Sequence, residues 1–156
     1  MEFMLGSGGR QIAEPGAFQL PVEVGTPGLK KGSESSHDVS GIIAMSGDFQ
    51  GTVVLSMPSD TALAVVSLFT GEKFDTDSAD FADAVGEIIN MVCGNAKASF
   101  QRKNVSISCP SVVVGSKHRV AGQSDIPCVI IPCNTDCGEL NLEISIRPVA
   151  AEAAAA

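Results

Sequence analysis

The chain contains no tryptophan and no tyrosine, so its interior has to be filled by seven phenylalanines and by valine, isoleucine and leucine. An aliphatic core is the expectation. Positive charge is scarce as well: ten Lys and Arg stand against 18 Asp and Glu, a formal net charge of −8 at pH 7. A molecule with that field repels the phosphate backbone of nucleic acid and the surface of an anionic membrane, so neither is an expected partner. A protein with a basic patch suits it better. No apolar run reaches the ~18 residues of a membrane-spanning helix, and the N-terminus lacks a basic segment followed by an apolar one. A cytoplasmic location is expected on that basis. The five cysteines, Cys93, Cys109, Cys128, Cys133 and Cys137, are odd in number and contain no C-x-x-C pair. His37 and His118 stand apart from them, so no zinc set is completed, and the cysteines, mostly in apolar stretches, read as reduced buried thiols with no metal site.

What is present fits one domain, since 156 residues can bury a sizeable core without staples. Residues 1–20 mix Gly, Pro and polar residues without periodicity and read as a loose N-terminal tail or degenerate helix. Residues 21–149 form the domain, and 150–156 a frayed C-terminal tail. Within the domain, "VEVGTPGLKKG" suggests a short strand, and "DVSGIIAMSGDFQGTVVLSM" a hairpin turning at Gly47 and Asp48. "PSDTALAVVSLFTGEKF" predicts a helix that starts near Ser59 or Asp60, buries Ala62, Val65, Val66 and Phe69, and stops at Gly71. A longer helix is predicted from Ser78 to Gln101, with Asp77 or Ser78 as its cap and with Asp80 and Asp83 where the helix dipole favours negative charge. "VSISCPSVVVG", "PCVIIPC" and "GELNLEISIR" then read as strands, the last two joined by a turn at Thr135 to Gly138, with Pro110 at an edge or bend. Helices and hairpins do not alternate as β-α-β units, so the expected fold is α+β, a mostly antiparallel sheet with long helices packed on it.

The long helix carries the chemistry. At ~100° per residue, Phe81, Val85, Ile88, Ile89, Val92 and Ala96 gather on one side, which is the predicted core face. Asp83, Glu87, Asn90, Gly94, Lys97 and Gln101 form a polar stripe opposite, with Glu87 and Asn90 pointing the same way. Every amphipathic helix has a polar face, so the stripe alone assigns no function. The two glycines add information, because each costs ~1 kcal/mol relative to Ala in a helix interior. Gly94 lies in the stripe, where a missing side chain lets another backbone or side chain come close; Gly86 borders the core and is read as tight packing against a neighbouring element.

"DAVGEIINMVCGNAK", with Glu-x-x-Asn at Glu87 and Asn90 and Gly-Asn-Ala-Lys at Gly94 to Lys97, resembles the signature of the CheC/CheX family of chemotaxis phosphatases, and its CheX branch most. "SGIIAMSGDFQGTVVLSMP", "TALAVVSLFTGEKF", "CPSVVVGSKH" and "CVIIPCNTDCGELNLEISI" resemble the family's first hairpin, following helix, next strand and closing hairpin, so the likeness runs from about residue 39 to 147. Two departures stand out. The family's N-terminal amphipathic helix has no clear counterpart in residues 1–20, and one Glu-x-x-Asn pair is present where CheC resembles a two-site protein. A proline beyond the motif also belongs to the pattern, and Pro110 is its candidate.

The resemblance implies hydrolysis of the aspartyl phosphate on a CheY-type response regulator, with no cofactor of the chain's own and Mg²⁺ supplied by the receiver. It implies that Asn90 positions the attacking water and Glu87 anchors the receiver, with Asp83, Gly94 and Lys97 as partner contacts. It further implies a homodimer. The competing expectation is a non-catalytic, CheC-like receiver-binding or adaptor domain, which would use the same helix face.

Overall fold

The computed structural model describes residues 19–32, 37–101, 103–120 and 125–150. The expected tails over 1–20 and 150–156 lie outside these residues apart from Gln19, Leu20 and Ala150. Ten elements follow in order: strands β1 (Val22–Val24), β2 (Gly28–Leu29), β3 (Val39–Gly47) and β4 (Phe49–Met57); helices α1 (Ser59–Thr70) and α2 (Ala79–Ala98); then strands β5 (Val105–Ile107), β6 (Ser111–Val114), β7 (Val129–Thr135) and β8 (Gly138–Pro148). They form the expected α+β architecture, one sheet in the order β1-β7-β8-β4-β3-β5, with β2 also on β7 and β6 also on β3. Every pairing is antiparallel. The segment expected as a single strand near residue 22 is divided into β1 and β2, with Gly25-Thr-Pro27 between them.

The β3–β4 hairpin turns where the sequence places Gly and Asp. Gly47 has φ 103°, and a Cβ there would sit 2.1 Å from the Asn104 carbonyl oxygen, so the turn tolerates only glycine. Asp48 then accepts a 2.7 Å bond from the Asn104 amide and ties the hairpin to the approach to β5. Helix α1 begins at Ser59, as expected, with Pro58 in the capping position and no side-chain cap. The fixed proline φ sets the entry, and Ala62 N–H bonds to the Pro58 carbonyl at 2.9 Å. Gly71, left-handed at φ 77°, ends it. Helix α2 has a true side-chain cap: Ser78 Oγ accepts from Phe81 N–H at 3.1 Å, an interaction worth about 1 kcal/mol.

Both helices lie on the same face of the sheet. Phe81, Val85, Ile88 and Ile89 from α2 and Ala62, Val65 and Val66 from α1 are buried against Val39, Ile43, Leu55 and Met57. The core face of α2 is shorter than its periodicity suggests. Val92 is half-buried and Ala96 is exposed, because the core ends at Cys93 while the helix runs on to Ala98. The helix also stops short of the expected Gln101, and the chain turns back so that Phe100 packs on Phe49 with ring centroids 5.2 Å apart.

The edge beside β3 carries a bulge. Met45 pairs with Ile107 and Ile42 with Ser111, so Ile43 and Ala44 face three residues, Ser108, Cys109 and Pro110. Ser108 satisfies the backbone there: its N–H donates to the Ala44 carbonyl at 2.9 Å and its Oγ accepts from Ala44 N–H at 3.0 Å. Pro110 thus marks the bend that splits one expected strand into β5 and β6. On the opposite face of the sheet, Lys30 and Glu143 form a buried ion pair at 2.5 Å. There His118 Nδ1–H donates to the Gly115 carbonyl at 2.7 Å, leaving Nε2 to accept from the buried Ser40 hydroxyl at 2.7 Å.

Candidate functional site

The sheet presents α2 with little freedom. A Cβ at Gly41 of β3 would lie 3.0 Å from Ile89 Cγ2, so the Ile89 side chain of the helix rests almost on the strand backbone. A Cβ at Gly86 would lie 3.3 Å from Pro110 Cγ and 3.5 Å from Val112 Cγ2, so the edge strand abuts the helix flank. With Phe81, Val85 and Ile89 turned fully inward, the opposite stripe faces outward. Asp83, Glu87, Gly94 and Lys97 are exposed and Asn90 is half-exposed.

Glu87 and Asn90, three residues apart, share one direction. No hydrogen bond or ion pair to another described residue holds either side chain, so an acceptor-only carboxylate and a carboxamide that both donates and accepts stand available on one rigid rod. Among the described residues nothing lies within 4 Å of the position a Gly94 Cβ would occupy, so no packing among them requires that glycine. Lys97 sits in the last turn and Asp80 in the first, each where the helix dipole favours its charge. The other helix, α1, contains no Glu or Asn.

The remaining candidates lie elsewhere. Cys93 is on the buried side of α2, and burial pushes its thiol up to about 11, which keeps it protonated and unreactive at neutral pH. Burial likewise raises Cys133, and raises Cys137 with a contribution from the Asp136 charge. All five cysteines are free, but not all are buried as their apolar surroundings in sequence suggest: Cys109 is exposed on the bulge and Cys128 and Cys137 are half-buried. A cleft lined by Leu20, Met57, Val65, Ile88, Val92 and Leu140 runs beneath the helices and offers only apolar walls. The part of the site that sequence reasoning missed is the contact between Gly86 and Pro110; each stands out in the sequence, but nothing there joins them.

The family profile described as chemotaxis phosphatase CheX matches residues 39–134. The CheY-P phosphatase CheX of Thermotoga maritima is 31% identical over 96 residues, 60% of this chain and 62% of that protein. The match thus spans less than two thirds of the relative's length. A crystal structure of a chemotaxis protein CheX from Desulfovibrio desulfuricans superposes with a TM-score of 0.74 at 28% identity, covering 83% of this chain and 87% of that one. The CheX of a CheX–CheY–BeF3–Mg²⁺ complex from Borrelia burgdorferi superposes with a TM-score of 0.66 at 25% identity, covering 81% and 84%. By its profile match, its fold and the motif on α2, the chain belongs to the CheX family of chemotaxis phosphatases.

Proposed function

We propose that this protein hydrolyses the aspartyl phosphate of a CheY-type response regulator. One observation carries the proposal: a carboxylate–carboxamide pair that no described residue engages, Glu87 and Asn90, stands outward on a helix locked to the sheet, in a family with a CheX–CheY complex among its structures. Hydrolysis of an acyl phosphate needs water to attack phosphorus as the bond to the aspartyl oxygen breaks, releasing inorganic phosphate and restoring the carboxylate. The receiver brings Mg²⁺ and a lysine to its own phosphoryl group, so the phosphatase has only to place the water in line. Asn90 suits that role, because its carbonyl oxygen accepts from the water while its NH₂ donates to a phosphoryl oxygen. Glu87 anchors the receiver through a charge-assisted bond to the receiver's lysine, which sets the register for Asn90. Asp83 and Lys97 serve as rim contacts.

Gly94 fits the same picture. Its helical cost is offset by no packing among the described residues, and an approaching receiver surface supplies the reason. Gly94→Ala is expected to stabilise the isolated protein by up to about 1 kcal/mol in chemical denaturation. The same change weakens receiver binding by about 1–3 kcal/mol through overpacking of the contact.

The proposal extends to one cytoplasmic domain over residues 21–149 that works as a homodimer, a second copy covering one of the sheet edges, which leave Val24, Leu29 and Val114 exposed. Among the described residues no helix is long and apolar enough to cross a membrane. The deciding experiment follows loss of phosphate from a purified, phosphorylated CheY-type receiver in Mg²⁺, with and without this protein. Acceleration supports the enzyme; tight binding without acceleration would make it a receiver-binding adaptor instead.

A further inference from the structure

Two glycines leave room for close neighbours of α2, Gly41 beneath Ile89 and Gly86 beside Pro110, and both lie within about a turn of Glu87 and Asn90. Gly41 lets Ile89 settle onto β3 and sets the depth of the helix. Depth alone leaves a helix free to roll about its axis. Roll is opposed at Gly86, where the Pro110 ring sits so near that a Cβ would stand 3.3 Å from its Cγ, and Pro110 stands there because the edge strand carries one surplus residue. The bulge is itself pinned, since Ser108 holds both the N–H and the carbonyl of Ala44. Val112, the second neighbour of Gly86, is the register partner of Gly41, so both restraints close on one point of the sheet.

We infer that Gly86 and Pro110 form a positioning clasp: their contact fixes the roll of α2 and thereby the direction in which Asn90 is presented. This rests on the hydrolysis reading above. Gly86 is buried and Pro110 half-buried, and both act through α2 rather than as catalytic residues. The leverage is large. A roll of about 10° moves a side-chain tip at a radius of about 5–6 Å by roughly 1 Å, and a misplacement of about 1 Å can cost ~10²-fold in rate.

The test uses the full chain and a phosphorylated CheY-type receiver. A methyl at Gly86 would stand 3.3 Å from Pro110 Cγ, which the stiff ring cannot readily yield, while alanine favours the helix, so Gly86→Ala folds but rolls. The expected result is a kcat lowered about tenfold, with KM and the affinity for the beryllofluoride-activated receiver within about twofold of the parent. Pro110→Ala removes Cγ, leaving the new methyl against Val112 Cγ2 at 3.5 Å and the residue-110 Cβ at 3.6 Å, both ordinary contacts, so the Gly86→Ala/Pro110→Ala double variant recovers most of kcat. Should Gly86→Ala fail to fold, Pro110→Ala alone decides, with kcat reduced several-fold at unchanged KM expected. A parental kcat in the variant that decides, or losses that multiply in the double variant, overturns the clasp. Asn90→Ala is assayed alongside. If it is fully active, the hydrolysis reading falls and takes the clasp with it; if it is inactive while Gly86→Ala behaves as the parent, only the clasp falls.

Discussion

Asn90→Ala is expected to lower stimulated dephosphorylation of the receiver by about 10²–10³-fold, the range seen when one preorganised donor at a reacting centre is removed. Folding and receiver binding should survive. Asn90 is half-exposed and bonded to no described residue, so truncation leaves no buried group without a partner and opens no cavity. The expected signature is a kcat loss at nearly constant KM, which marks an interaction made only in the transition state. Asn90→Asp should be comparably inactive despite its near-identical shape, because a carboxylate cannot donate to the phosphoryl oxygens and repels them. Quench-flow or phosphate-release kinetics on the parent and both variants checks this. Activity retained by Asn90→Ala would remove the proposed mechanism.

Glu87→Lys is expected to act on binding. If Glu87 meets the receiver's lysine in a desolvated contact, truncating such a pair costs about 2–5 kcal/mol, and reversing the charge adds repulsion to the loss. Affinity for the activated receiver should therefore fall by at least ~30-fold, since each ~1.4 kcal/mol is tenfold. The defect should appear in KM more than in kcat at saturating receiver. Glu87 is exposed, so the melting temperature should scarcely move, and titration calorimetry with the beryllofluoride-activated receiver reads the change directly. Unchanged affinity would show that Glu87 is a solvated surface carboxylate and that the receiver takes its register from other residues.

Elements with local signals can be read from the chain alone. The β3–β4 turn has glycine where φ must be positive, α1 stops at a glycine, and α2 starts at a serine whose hydroxyl finds the amide three residues on. The common direction of Glu87 and Asn90 follows from helical spacing alone. Their assigned roles do not; those rest on resemblance to a family. What stays illegible is tertiary. Ala96 keeps the helical period of the core face, yet it is exposed, because periodicity says nothing about where the sheet beneath a helix ends. The division of residues 22–29 into β1 and β2 and the surplus residue at Ser108 to Pro110 depend on pairing with β7 and β3, which no local window contains. The contact of Gly86 with Pro110 joins two residues that local patterning marks for separate reasons.

The overhang of α2 beyond Cys93 has a dynamic consequence. Between Phe81 and Cys93 the buried residues Ala84, Val85, Gly86, Ile88 and Ile89 hold the helix to the sheet, so its backbone hydrogens exchange mainly through larger openings. From Gly94 to Ala98 every residue is exposed and the turn is held by little beyond its own ladder, so fraying releases those hydrogens early. The tip of the helix therefore acts as a built-in reporter: deuterium uptake there should slow when the regulator docks, tracing its footprint without a single substitution.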